Sequence, residues 1–148
     1  MRRLSEHFTL EELTFSEYAT RQGLDNNPDA EVVANLVKLV EHSLEPLRML
    51  LDRAIVVSSG YRSVAVNAAI GGSSTSQHCL GQAADITVPG MSVEEVFRFA
   101  AQNVPFDQLI QEFDKWLHIS YCLPARGQTL RAHKSEGKTI YTPSWVKK

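Results

Sequence analysis

The chain has 148 residues, of which 43% are hydrophobic and 22% are charged, and its formal net charge is −2 at pH 7. This length is typical of one domain that buries about two-thirds of its unfolded surface without disulfides, and the composition is that of an ordinary globular protein. The charge argues against general nucleic-acid binding, and no apolar run approaches the roughly 20 residues that would cross a bilayer. We expect a monomer with no nucleic-acid partner and no membrane insertion.

The beginning of the chain carries positive charge at Arg2 and Arg3, but no apolar stretch follows it. A secretory signal is therefore not expected, and we expect the protein to be made in the cytoplasm. Cys79 and Cys122 are too few for a disulfide framework and should stay reduced there.

Residues 1–26 are predicted to be a helical segment that packs on the rest of a single domain, 1–148. Thr9 and Glu12 have the spacing of a capping box, which indicates a short helix. A longer helix follows, with Asn27 as its N-cap and apolar residues recurring at helical spacing as far as Asp52. Pro46 lies inside this helix and should kink it, because proline has no backbone donor.

The middle of the chain reads as strand, helix and strand. The β-branched run in 54–59 predicts a buried strand, and Gly60 ends it. Residues 63–70 are predicted to form a short helix, and 83–88 the next strand. Ser92 begins a second capping box, which indicates a helix to about Gln102.

The rest of the chain is predicted to add three strands to the same sheet. Residues 106–113 and 116–122 should form a hairpin across Asp114 and Lys115, and 138–141 a last strand. Together the elements predict an α+β single domain, with a small antiparallel sheet and helices packed on one side.

Three side chains along the chain are candidate metal ligands. His78 and Asp85 lie seven residues apart, with small residues between them, and His118 lies in an apolar, strand-like run. Two His and one Asp would leave one position open for water, which is typical of a catalytic zinc site. On spacing alone, the alternative is that His78 and His118 are ordinary core or surface histidines.

The stretch Ser76-x-His78-x-x-Gly81-x-Ala83-x-Asp85 resembles the SxHxxGxAxD signature of zinc peptidases that act on bacterial cell walls. That group includes the D-Ala-D-Ala carboxypeptidases, the vancomycin-resistance dipeptidases and the phage L-alanyl-D-glutamate endolysins, and the amino-terminal domain of hedgehog proteins shares their fold. Residues 59–63 are similar to the group's SGYRS segment, and 116–118 to its third-ligand strand. The resemblance implies a hedgehog-like fold and a Zn²⁺ ion held by His78, Asp85 and His118.

The resemblance also implies a general base. Glu112 lies six positions before His118, as in the hedgehog-type site. The vancomycin-resistance dipeptidases place this Glu three positions before the His, where the present chain has Lys115. Glu112 is therefore the candidate base, with Asp114 as the alternative.

Four further residues have roles implied by the same resemblance. Arg62 would bind a substrate carboxylate or stabilise charge on the scissile carbonyl, unless it only pairs with a nearby Asp. Ser76 would hydrogen-bond near the ligands. Tyr61 and Trp116 would form walls of the substrate cleft, although packing in the core explains two aromatic residues equally well.

The function that the resemblance implies is zinc-dependent hydrolysis of peptidoglycan stem-peptide bonds next to a D-amino acid. An endolysin-like L-alanyl-D-glutamate endopeptidase of a phage or prophage is favoured, acting on the wall after release and without a separate wall-binding domain. A D-Ala-D-Ala carboxypeptidase and a non-catalytic, zinc-stabilised binding module are the alternatives. From Tyr121 onward, basic residues such as Arg126 outnumber acidic ones, which suits either an anionic wall polymer or an ordinary solvated face.

Overall fold

The computed structural model describes residues 2–144, and its centre is one six-stranded sheet with the strand order β1-β2-β4-β3-β5-β6. The strands are β1 Val56–Ser59, β2 Ala83–Thr87, β3 Gln108–Glu112, β4 Trp116–Ser120, β5 Gln128–Ser135 and β6 Lys138–Pro143. Neighbouring strands are antiparallel except for β3 and β5, which are parallel. The α+β class is confirmed, but the sheet is mixed, because the connection after β4 carries the chain past β3 to its free edge.

The described part of the chain also contains six α-helices. They are α1 Leu10–Thr14, α2 Glu17–Gln22, α3 Ala30–Leu39, α4 Glu45–Leu51, α5 Val64–Ala69 and α6 Val93–Asn103. The capping boxes predicted at Thr9 and Ser92 are both present. No helix between residues 2 and 144 is long and apolar enough to cross a bilayer.

The long helix predicted from Asn27 differs from the structure at its start and at its middle. Its N-cap is Asp29, whose carboxylate accepts a hydrogen bond from the backbone N–H of Val32. A π-helical turn, Val40–Leu44, separates α3 from α4, so that the N–H of Glu45 donates to the carbonyl of Val40. The backbone hydrogen bonds of the helix therefore already span five residues instead of four just before Pro46, which has no N–H to donate.

The main core lies between the helices and one face of the sheet. The strand residues on this face include Ala84, Ile86, Leu109, Leu117 and Ile119, all fully buried. Val96, Phe97 and Ala100 of α6 are buried here too, as are Phe8 and Leu13 from the first 26 residues. Because side chains alternate along a strand, the residues between the core positions point to the opposite face, where a polar site can form.

Two further differences concern the first and the fifth strand. The first strand is shorter than predicted, and Val56 is 47% exposed, because β1 pairs only with β2. Strand β5 was not predicted at all. Most of its residues are polar and its far end is exposed, so it has no apolar run to indicate a strand.

Candidate metal centre

The three candidate ligands meet on the face of the sheet opposite the main core. Asp85 on β2 and His118 on β4 are directly paired across the two strands. His78 comes from a 3₁₀ turn, Gln77–Leu80, which ends shortly before β2 begins. All three residues are buried, and one ligand atom from each lies within 4.8 Å of the others.

The distances within this group fit a divalent metal. Nε2 of His78 and Nδ1 of His118 each lie 3.3 Å from Oδ1 of Asp85. Two ligand atoms of a tetrahedral zinc ion, at about 2.0–2.1 Å from the metal, are about 3.3–3.4 Å apart. The chemistry of the set, two imidazoles and one carboxylate, is also that of a zinc site with one open position.

The fold fixes the orientation of His78 through the loop after β1. Nδ1 of His78 lies 2.7 Å from the carbonyl oxygen of Gly60, to which it can donate a hydrogen bond. This leaves Nε2 as the nitrogen available to a metal. The backbone N–H of Arg62 donates back to the carbonyl of His78, and Ser76 Oγ accepts from the N–H of His78. Ser76 therefore lies beside a ligand, as expected from the sequence.

We expect Gly60→Ala to lower the free energy of unfolding by about 3 kcal/mol or more, because a Cβ at this position would overlap the backbone carbonyl of Leu13. Urea denaturation measures the effect. Gly23→Ala is the control, since Gly23 has open space around it and its φ of 67° adds only the left-handed cost of about 1–2 kcal/mol. Equal losses in the two variants would contradict the steric role of Gly60.

Asp85 is held ionised by its neighbours. Burial alone would raise the pKa of Asp85, but the ring nitrogens of His118 and His78, each 3.3 Å from Oδ1, bring that pKa well below its usual range. Nη2 of Arg62 lies 3.2 Å from Oδ2 of Asp85, on the side of the carboxylate away from the two histidines. The carboxylate is therefore fixed from both sides and presents Oδ1 to the other two ligands.

Glu112, the candidate base, lies on β3 on the same face as the ligands. Two residues before it, Ile110 is paired with His118, so the alternation of β3 brings Glu112 to this face. Burial is the main cause that raises the pKa of Glu112, and the negative charge of Asp85 raises it further. A half-buried carboxylate with a raised pKa, in the same cavity as the metal ligands, suits a group that takes up and returns a proton.

Asp114, the alternative base, lies elsewhere. Its carboxylate contacts the side-chain amide of Gln111, which in turn donates to Glu94 of α6 on the core side of the sheet. Asp114 is absent from the residues that line the cavity at the ligands. The geometry therefore favours Glu112.

The family model described as peptidase M15 matches residues 6–120, which is more than half of the chain. The chain belongs to the peptidase M15 family. This membership makes it a metallopeptidase with a peptide substrate, and members of the family are zinc-dependent. A comparison with curated proteins gave no match.

The site of this M15 peptidase opens into a cavity of about 640 Å³. Arg62, Ser76, Glu112 and Trp116 line it together with the three ligands. Tyr61 does not line it. That side chain is buried in the main core, so core packing, rather than a place in the cleft wall, accounts for Tyr61.

One wall of the cavity comes from residues that sequence reasoning did not assign to the site. The residues of this wall that lie beyond the family match are Arg126, Gln128, Leu130 and Tyr141. They reach the cavity because β5 adds to the sheet beside β3, where Ala132 pairs with both Glu112 and Tyr141. The excess of basic residues after Tyr121 was the available signal, but it did not single out Arg126.

Proposed function

We propose that this M15 peptidase is a zinc-dependent endopeptidase that cleaves the L-alanyl-D-glutamate bond of peptidoglycan stem peptides. We further propose a phage or prophage lysis role, with the protein acting on the wall after release from the cytoplasm. The observation that carries the proposal is the buried His78, Asp85 and His118 group beside Glu112 in one open cavity. The match of the sequence to the SxHxxGxAxD signature supports the choice of substrate.

Each residue of the site has a defined task in this proposal. A bound zinc ion supplies a Lewis acid that polarises a carbonyl and acidifies water. Glu112 takes the proton of the attacking water and returns it to the leaving amine. Arg62 holds Asp85 in place, and Gly60 and Ser76 hold His78. Trp116 forms part of the wall against which the peptide lies.

The experiment that tests this function is digestion of defined muropeptides by the purified, zinc-loaded protein, with new termini identified by mass spectrometry. We expect cleavage between L-Ala and D-Glu, and no cleavage with Glu112→Ala, which should retain zinc. Release of terminal D-Ala instead would identify a D-Ala-D-Ala carboxypeptidase. Zinc binding without any product would favour a non-catalytic binding module and would contradict the proposed hydrolysis.

A further inference from the structure

Two arginines line the cavity, and their surroundings differ. Every nitrogen of the Arg62 guanidinium is within hydrogen-bond distance of a protein oxygen: Nε with Ser59, Nη1 with Asn67 and Nη2 with Asp85. Arg62 is also largely buried, with only 16% of its side chain exposed. These contacts occupy Arg62 with the support of a metal ligand and leave it little capacity for a substrate group.

Arg126 has its position fixed but keeps donors free. Its Nε and backbone N–H both donate to Oδ1 of Asp107, at 3.0 and 2.9 Å, and Nη2 donates to Oδ2 at 2.7 Å. Nη1 makes no hydrogen bond to any residue between 2 and 144. The side chain is 55% exposed, whereas Asp107 is completely buried.

Asp107, which holds Arg126 in position, is also connected to the metal centre. Oδ2 of Asp107 also accepts a hydrogen bond from Nε2 of Gln77, the residue next to His78 in the chain. Asp107 immediately precedes β3, the strand that carries Glu112. One buried carboxylate therefore fixes Arg126 relative to a ligand and to the candidate base, which is the preorganisation that a binding residue requires.

We propose that Arg126 is the residue that binds a free carboxylate of the peptide substrate near the bond to be cut. Arg62 supports Asp85 instead. The inference rests on the proposed peptidase function and names a chemical requirement of its substrate: a carboxylate group beside the scissile bond. A planar guanidinium with free donors suits this ligand, because it binds carboxylates through parallel, charge-assisted hydrogen bonds.

The charges that line the cavity agree with this assignment. The positive charge of Arg62 is balanced by Asp85, with which it forms an ion pair. A divalent ion held by the three ligands would add two positive charges beside the single negative charge of Glu112. Asp107 balances the charge of Arg126 but is buried beneath it, so with a divalent ion bound the exposed side of the guanidinium would face a cavity with net positive charge. An anionic peptide is favoured over a neutral one in such a cavity.

The test compares matched peptides that differ only in this carboxylate. One pair is a muropeptide with D-glutamate and its D-isoglutamine form, and the other is a D-Ala-D-Ala-terminated peptide and its C-terminal carboxamide. We expect the zinc-loaded protein to prefer the carboxylate form of the pair it cleaves by about 10-fold or more in kcat/KM. In Arg126→Ala this preference should fall to about 2-fold or less, with zinc content unchanged.

Arg98→Ala is the matched control, because Arg98 is similarly exposed at 57% and also pairs with a carboxylate, Glu94, but lies outside the cavity. It should keep the full preference. A purely structural role of Arg126 would lower kcat/KM for both peptides of a pair equally and leave their ratio unchanged. That unchanged ratio, or a ratio near one in the parent protein, would overturn the inference while the peptidase function stands.

Binding provides a second measurement that does not depend on turnover. The same peptide pairs are titrated calorimetrically into zinc-loaded Glu112→Ala protein, with and without Arg126→Ala. A preference for the carboxylate form that disappears with Arg126→Ala supports the inference even if no peptide is cleaved, in which case the proposed function alone fails. Equal binding of both forms, or binding of neither, contradicts it.

Discussion

His118→Ala is expected to abolish zinc binding and peptide hydrolysis together. The variant leaves only His78 and Asp85, and two ligands do not form a stable site for zinc. Since loss of a residue that only supports a ligand already costs about 10- to 100-fold in metal affinity, loss of the ligand itself should cost at least about 100-fold. Hydrolysis should fall to the level of the metal-free protein.

The measurement is zinc content after dialysis, together with a competition titration against a chromophoric chelator. His133→Ala is the control, because His133 also lies on a strand but is exposed and away from the ligands. His118 is buried, so circular dichroism must show that the variant is folded before the zinc result is interpreted. A folded His118→Ala protein that binds zinc as tightly as the parent would refute the ligand set.

The metal centre shows what could be inferred from the sequence and on which physical basis. Its three ligands were predicted from a spaced signature and a short strand, and the structure brings their ligand atoms together. The prediction succeeded because the sheet imposes a register. Asp85 and His118 are paired residues on neighbouring strands, so their side chains must share a face. The role of each ligand in binding zinc still rests on the experiment above.

The wall that contains Arg126 could not be predicted in the same way. Its position depends on β5 pairing in parallel with β3, and this pairing is decided by the path of the connection after β4. A non-local strand pairing leaves no hydrophobic period in the sequence of a mostly polar strand such as β5. The start of α3 was predicted wrongly for a local reason. Asn27 and Asp29 are both residue types that cap helices well, and the N-cap in the structure is Asp29.

Glu112→Gln is expected to lower kcat by about 10²- to 10⁴-fold and to leave zinc content unchanged. Glutamine has nearly the same shape as glutamate, so the half-buried position on β3 stays filled, but an amide cannot accept the proton of the attacking water. Glu112 is not one of the three residues whose ligand atoms converge, so its replacement should not disturb the metal. Loss of turnover with intact zinc binding would distinguish a base from a ligand.

Asp114→Asn provides the control and tests the competing assignment in the same experiment. It is the same acid-to-amide change, two residues further along the chain, and asparagine tolerates the positive φ of 58° found there. Because the Asp114 carboxylate contacts Gln111 outside the cavity, this variant should keep at least about half of the parent turnover. If Asp114→Asn lost activity while Glu112→Gln kept it, the proton would have to move through Asp114, and the hairpin turn would have to rearrange to bring that carboxylate into the cavity.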